Sequence, residues 1–387
     1  MQTIPNLEQI PEAPPAGKRW VPRSVPGLVA LEGGRVQRGA LRGHIGPADG
    51  DLIFTTAATG WGEILTDPSY AGQIVVLTHP MAGNYRIAAS ELESGGVHAR
   101  GLICSRLVTP PDGPGMSLEE LLVDAGIPAL TGIDTRALTL ELQRGSARRA
   151  VIRPADRDDA EAVAEARQTV PWADVDHVAR VATRDRFAVA PDGPRAARAT
   201  LVDFGVKRSL LAALAARGLE ITVLPPDATA ADVLASSPDL VVLSPGPGDP
   251  SRMERHIAVT RDLAGRAIAG GPPVLGICLG HQLLGLATGA ETRRLAVGHH
   301  GGNHAVLETA TARVDIGAHN HEVAVVDGPA LSAAGYRVSH RDLNDGTVEG
   351  LVHASGRIAS VQFHPEGAPG PIDAARVFDL ALQRALA

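Results

Sequence analysis

The chain has 387 residues, of which 44% are apolar and 20% charged, with a net charge of −7. That size suits two or three domains whose cores fold without metal or disulfide staples. The acidic balance argues against nucleic acid, or an anionic membrane, as the main ligand, because both call for a basic face.

Residues 1–27 carry six prolines and no apolar core, so they read as a flexible N-terminal extension rather than a signal peptide. Ordered structure is expected from Leu28 to Val36 as a strand pair around Gly33-Gly34. Short β runs follow at Asp51–Thr55, Ile74–Thr78 and Gly101–Leu107, separated by Gly and Pro turns. Helical patterns cover Ser117–Ala125, Asp134–Arg144 with Gly145 as a stop, and the stretch Asp156–Val170. Residues 28–188 thus read as a β-rich α/β domain. The Pro/Ala/Arg-rich stretch 189–198 lacks apolar periodicity and reads as a linker.

Residues 199–387 change rhythm. Strands at Ala199–Phe204, Leu219–Leu224, Asp239–Ser244 and Pro273–Ile277 alternate with helices at Lys207–Arg217, Met253–Ala269 and Leu279–Thr288. This alternation indicates an open, mostly parallel sheet with right-handed crossovers, so the fold class is α/β. After Gly298 the pattern returns to short strands, the last at Ile358–Phe363, and a helix over Pro371–Leu386 closes the chain. The two cysteines, Cys104 and Cys278, are too few for a disulfide framework or a thiolate zinc cluster and point to a reducing, cytoplasmic compartment. No apolar run reaches the roughly 18 residues of a membrane-spanning helix.

The chemistry concentrates in Pro273-Val-Leu-Gly-Ile-Cys278-Leu-Gly-His-Gln282. An apolar strand enters Gly-x-Cys-x-Gly and passes directly into a helix, the form of a nucleophile elbow with Cys in place of Ser. Glycines flank the turn because side chains would not fit, and the following helix N-terminus favours a thiolate. The Leu279 N–H would point at an oxyanion. A buried cysteine at a strand–helix junction is the plainer alternative, and the rest of the chain weighs against it. Near the C-terminus a strand ends in His364-Pro-Glu366, a base with a carboxylate to orient it. Ser244-Pro-Gly246-Pro-Gly248-Asp-Pro follows another strand, at the edge where ligands bind in open α/β sheets. Cys104, within an apolar strand, reads as a small buried hydrophobe.

Triad, elbow and glycine loop together resemble a class I, triad-type glutamine amidotransferase domain. Leu31-Glu-Gly-Gly34, Thr59-Gly-Trp-Gly-Glu-Ile-Leu-Thr-Asp-Pro-Ser-Tyr70, Gly132-Ile-Asp-Thr-Arg136, Asp203-Phe-Gly-Val-Lys-Arg208 and Gly298-His-His-Gly-Gly-Asn-His304 narrow the resemblance to the carbamoyl phosphate synthetase small-subunit family, from about residue 28 to the end. The resemblance implies that Cys278 attacks the side-chain amide of glutamine, that His364 shuttles the proton with Glu366 behind it, and that a γ-glutamyl thioester is hydrolysed. Leu279 and Gly248 would supply the oxyanion hole. Gly246, Gln282, Asn320 and Ser69 would hold the glutamine, Ser69 reaching in from the N-terminal domain. Where the family usually reads Gln-Asn-His-Gly-aromatic, this chain has His319-Asn320-His321-Glu322-Val323, which adds a negative charge near the expected α-carboxylate of the substrate.

The chain lacks a G-x-x-x-x-G-K-[ST] loop or another nucleotide signature, so no cofactor is expected on it. ATP and Mg belong, on the resemblance, to a large synthetase subunit that receives ammonia through a tunnel, in a heterodimer or higher assembly feeding arginine and pyrimidine biosynthesis. Histidines 299, 300, 304, 319 and 321 would permit a metal by count. With no cysteine and no acidic ligand evidently grouped with them, they read as packing beside the active site and no metal is expected. Two other readings stay open on the residues: a differently partnered cysteine hydrolase acting on γ-glutamyl amides, and a non-catalytic scaffold subunit.

Overall fold

The computed structural model describes residues 24–145 and 148–387. The chain divides into two compact units, the break falling between Val175 and Asp176. This lies ahead of the 189–198 stretch expected as a linker. Phe187–Val189 already pairs antiparallel with Leu219–Leu224, so that Pro/Ala/Arg-rich segment is a surface loop inside the second unit. At the N-terminus the first strand begins at Val25, within the expected extension, and residues 1–23 lie outside the described residues.

The first unit is built on a closed seven-stranded barrel. Around it run Val25–Leu31, Val36–Gly43, Pro128–Thr131, Gly101–Cys104, Gln73–Leu77, Ala48–Thr55 and Arg149–Pro154, the last returning to the first. Strand alternation sends Ile74, Val76 and Ile103 into the interior with Val29, Leu41, Leu52 and Ile152. Val75, Leu77 and Leu102 face outward into a second cluster with Trp61, Ile64 and Leu65 of the short helix Trp61–Thr66. Cys104 belongs to this outer cluster, and burial pushes its thiol up to about 12, as befits a small hydrophobe.

The expected run Gly101–Leu107 is two strands. Only Gly101–Cys104 joins the barrel; beyond Ser105, Arg106–Leu107 pairs with Met81–Ala82 in a separate ribbon. The helix expected over Asp156–Val170 spans Asp159–Gln168, started by Asp158, whose carboxylate accepts from the N–H groups of Ala160 and Glu161.

The second unit carries a ten-stranded sheet whose centre is parallel, in the order Leu219–Leu224, Ala197–Val202, Leu240–Leu243, Val274–Ile277, Ile358–Val361. Both faces are covered, which is why these strands are apolar almost throughout. Leu201, Val242, Leu275 and Ile277 pack against helices Arg208–Ala215 and Arg376–Leu386. Val202, Val241, Leu243 and Val274 pack against helices Glu254–Ile268 and Leu279–Ala287.

Beyond Ile358–Val361 the sheet continues antiparallel through Val348–His353 and Tyr336–Asp342 to the hairpin Thr292–Glu308 and Val314–Val325. These hairpin strands are 17 and 12 residues long, not the short strands expected. Register shifts between Arg294 and His299 and between Gly301 and His304 break the two-residue alternation that would have revealed them. The hairpin curls back over the carboxyl edge of the parallel strands, where Ala318 bridges to His364.

Candidate active site

Three adjacent parallel strands deliver the expected elements to one edge. Leu240–Leu243 leads into Ser244–Gly248, Val274–Ile277 into Cys278, and Ile358–Val361 into His364 and Glu366. Cys278 sits at φ 52°, ψ −104°, a conformation that non-glycine residues rarely hold and that the surrounding structure must enforce. Its N–H donates to the Val361 carbonyl at 2.8 Å, tying the elbow to the strand that carries His364.

The flanking glycines are sterically required. A Cβ on Gly280 would stand 2.3 Å from the Leu243 carbonyl oxygen, and one on Gly276 would stand 2.7 Å from the Gly280 carbonyl. Leu279 opens the helix that follows, where backbone N–H groups lack intrahelical partners and no side chain caps the start. Gly248 has φ +113°, and a Cβ on Gly246 would lie 2.2 Å from the Phe204 carbonyl.

His364 is buried, and its Nδ1 lies 2.7 Å from Glu366 Oε1. With Nδ1 taken by the carboxylate, Nε2 is the nitrogen left for the thiol of Cys278. Burial alone would depress the imidazolium. The Glu366 carboxylate overrides it, opposed by Lys207 and helped by the Cys278 sulfur, and the pKa rises to about 10. Glu366 is pushed up by burial but held down to about 2 by Lys207 and His364. The Cys278 thiol donates to the Asn320 carbonyl at 3.8 Å.

Lys207 is the site residue that the reading of the sequence did not single out, although it lies in the quoted Asp203–Arg208 motif. Its ammonium stands 3.0 Å from Glu366 Oε1, and it is 2% exposed. The motif explains the placement. Asp203 Oδ1 accepts from Gly205 and Val206 N–H and Oδ2 from Thr183 N–H, folding the loop after strand Ala197–Val202 tightly enough to turn Lys207 inward. Ser244 Oγ accepts from the Phe204 N–H and joins this loop to the glycine loop.

The remaining expected residues separate by what they touch. The Gln282 amide donates to the Val323 carbonyl at 2.8 Å and to Gln362 Oε1 at 3.1 Å, bracing the hairpin strand. Asn320 Oδ1 pairs with His300 Nδ1, and Glu322 lies between His300 Nε2 at 2.9 Å and Arg294 Nε at 3.3 Å. The charge that Glu322 brings is therefore matched by a cation beside it. Ser69 belongs to the first unit, buried in the turn Pro68–Tyr70 with its N–H on Asp67 Oδ1 and its hydroxyl making no hydrogen bond among the described residues. The histidines also part company. His300 stays with Asn320 and Glu322, whereas His299, His304, His319 and His321 cluster with Asp342, Asp345 and Glu349. Acidic groups are thus present, brought from distant strands, contrary to what their spacing in sequence suggested.

Residues 200–383 match the family described as glutamine amidotransferase class-I, and residues 29–152 match the carbamoyl-phosphate synthase small chain, CPSase domain. The carbamoyl phosphate synthase small chain of Methanopyrus kandleri is 40% identical over 357 residues, covering 91% of this chain and 96% of that one. The chain belongs to the carbamoyl phosphate synthase small-chain family. The Bacillus caldolyticus small chain is 42% identical over 358 residues, covering 92% and 95% of the two chains. The pyrimidine-specific small chain of Halalkalibacterium halodurans is 40% identical over 351 residues, covering 90% and 94%. As a carbamoyl phosphate synthase small chain, this protein hydrolyses glutamine and supplies the ammonia for carbamoyl phosphate synthesis. Among the described residues no helix is long and apolar enough to cross a membrane.

Proposed function

We propose that Cys278, His364 and Glu366 are the residues that hydrolyse glutamine, and that Lys207 positions Glu366. Cys278 attacks the side-chain carbonyl carbon of glutamine as a thiolate. The resulting oxyanion accepts from the N–H groups of Leu279 and Gly248. His364 gives its proton to the leaving nitrogen, and ammonia departs from a γ-glutamyl thioester. Water then attacks the thioester, His364 takes the proton of that water, and the collapse releases glutamate and restores the thiolate. Glu366 keeps the imidazole in one orientation and favours its charged form, as a carboxylate does in such triads. Gly246, Gln282 and Asn320, with Glu322 and Val323 beside them, frame the amino-acid end of the substrate.

The observation that supports this reading is the conjunction of a strained, positive-φ Cys278 at a strand–helix elbow with a His364 whose Nδ1 is held by Glu366 at 2.7 Å. Ammonia at neutral pH is mostly ammonium, which has no lone pair to attack with, so the product must be handed over without release into water. The partner is the large synthetase subunit, which binds ATP and Mg, and the complex works in the cytoplasm for arginine and pyrimidine biosynthesis. The test is glutamine hydrolysis by the purified chain, alone and with its large subunit, beside Cys278→Ser. Weak activity alone, stimulation by the partner and loss in the variant are expected. Hydrolysis undiminished in Cys278→Ser would overturn the assignment.

A further inference from the structure

We propose that His299, His319, His321 and Glu349 form a binding site for one divalent transition-metal ion, with zinc as the ion whose ligand chemistry fits. The candidate ligand atoms of these four residues all lie within 4.8 Å of one another. All four residues are more than nine-tenths buried: His299 is 6% exposed, His319 3%, His321 5% and Glu349 0%. Three imidazoles and a carboxylate make a borderline donor set suited to four-coordinate zinc.

The second observation is the state of the inward-facing atoms. Nδ1 of His299, Nε2 of His321 and Oε1 of Glu349 are buried and make no well-formed hydrogen bond among the described residues. They face each other, His299 Nδ1 at 3.5 Å and His321 Nε2 at 3.6 Å from Glu349 Oε1. Ligands about 2.0–2.2 Å from a tetrahedral zinc sit roughly 3.3–3.6 Å apart, so these two separations already match.

The outer nitrogens explain why lone pairs point inward. His299 Nε2 is 3.0 Å from Asp345 Oδ2, His321 Nδ1 is 2.9 Å from the Val323 carbonyl, and His319 Nδ1 is 3.2 Å from the Gly317 carbonyl. A nitrogen facing an acceptor carries the proton, so each ring, when neutral, turns its lone pair toward Glu349. Metal-binding histidines are oriented by outer partners of this kind. His319 Nε2, 2.9 Å from Glu349 Oε2, would otherwise need a second proton there. A cation at the centre answers all four groups at once.

A neighbouring set of His299, His304 and Asp342 is weaker, because it offers three ligands rather than four and His304 is only half-buried. The favoured site links the hairpin Thr292–Glu308 and Val314–Val325 to strand Val348–His353, across strands that are not paired neighbours. His319 and His321 flank Asn320, whose carbonyl accepts from Cys278. The ion would be a staple beneath the active-site edge, away from the reacting atoms.

The experiment uses the full chain carrying Cys278→Ser, so that the active-site thiol cannot take the ion, stripped with chelator and dialysed against zinc. One zinc per chain and a rise of several degrees in the unfolding midpoint are expected. His319→Gln with Glu349→Gln is expected to weaken binding by about 100-fold or more and to abolish the rise. Cobalt in place of zinc is expected to give the intense visible absorption of a four-coordinate ion in the parent chain, which decides the matter even if the double variant does not fold. No ion retained at micromolar free zinc, or a pale six-coordinate cobalt spectrum, would overturn the site in favour of a proton-held cluster. So would equal retention in the double variant.

Discussion

Lys207 and His364 meet on the same oxygen: Glu366 Oε1 lies 3.0 Å from the ammonium of one and 2.7 Å from the imidazole Nδ1 of the other. Both cations are buried, so the carboxylate between them is worth more than a surface partner would be. They also compete, since Lys207 lowers the proton affinity of His364 while Glu366 raises it. Lys207→Gln is therefore expected to do two things. Removing one partner of a buried ion pair should cost about 3 kcal/mol of stability. It should also leave His364 holding its proton more tightly, lowering kcat by about tenfold and moving the basic limb of the pH–rate profile upward. Urea unfolding and a kcat–pH profile check both. A loss of stability with an unmoved profile would make Lys207 a packing residue only.

Much of this site was legible in the sequence because its chemistry lies at strand ends. Gly276-Ile-Cys278-Leu-Gly280 announces an elbow by local sterics, and His364-x-Glu366 sits where a strand stops. Lys207 was visible in its motif, but its partner is 159 positions away in the chain and only the folded loops bring them together. The histidine cluster shows the same limit. His319 and His321 alternate along one strand, but Glu349 arrives from another, and a bulged register hides the continuity of His299 with them. In the first unit the short strands were partly recognised, while Pro128–Thr131 and Arg149–Pro154 were not. Closure of a barrel is a property of pairing, which no single run of residues displays.

Gly280 of the elbow and Gly265 of a covering helix predict a contrast within one unit. Gly280→Ala places a methyl 2.3 Å from a backbone oxygen that belongs to the central sheet and cannot yield cheaply. Overpacking of this kind costs about 1–3 kcal/mol, and because it displaces the turn holding Cys278 it should lower glutamine hydrolysis by about 100-fold or more. Gly265→Ala, in helix Glu254–Ile268, meets nothing within 4 Å and should stabilise by about 0.5–1 kcal/mol with unchanged turnover. Thermal unfolding and steady-state rates on the two variants test this; an active Gly280→Ala would mean the elbow can relax.

Buried titrating groups set a dome of stability against pH. Burial depresses His281 to about 3, partly offset by Glu349, and depresses His98 to about 4, partly offset by Asp67. Both stay neutral in the folded chain while the unfolded chain takes up their protons below about 6.5. Their contribution is thus complete above pH 6.5 and is lost as pH falls toward 4 and 3. His364, raised to about 10, acts oppositely: its contribution is complete below pH 6.5 and is lost as pH rises toward 10. Urea midpoints should therefore peak near pH 6.5–7. His98→Gln, which keeps a polar partner for the Ser94 hydroxyl that sits 2.8 Å from Nε2, should flatten the acid limb by about one proton. An unchanged acid slope in that variant would contradict the assignment.

Glu322 and Arg294 form a pair whose two halves should move substrate affinity in opposite directions. The carboxylate stands 3.3 Å from the Arg294 guanidinium and 2.9 Å from His300, which in turn holds Asn320. On the proposed binding mode the glutamine α-carboxylate lies nearby, so the field it meets is the sum of both charges. Glu322→Gln removes the negative charge from beside the arginine and should lower KM by about two- to fivefold. Arg294→Met removes the positive charge from beside the glutamate and should raise it by a similar factor, both at low ionic strength. The double variant should return close to the parent value, because the net charge is restored. Arg294 is 37% exposed at its side chain, so added salt should shrink the effects of both single variants together. In all three, kcat should stay within about twofold, since neither group touches the reacting atoms and uniform binding changes KM alone. A drop in kcat that tracks Glu322→Gln would instead show that the His300–Asn320 contact, and through it the carbonyl that accepts from Cys278, depends on the carboxylate charge.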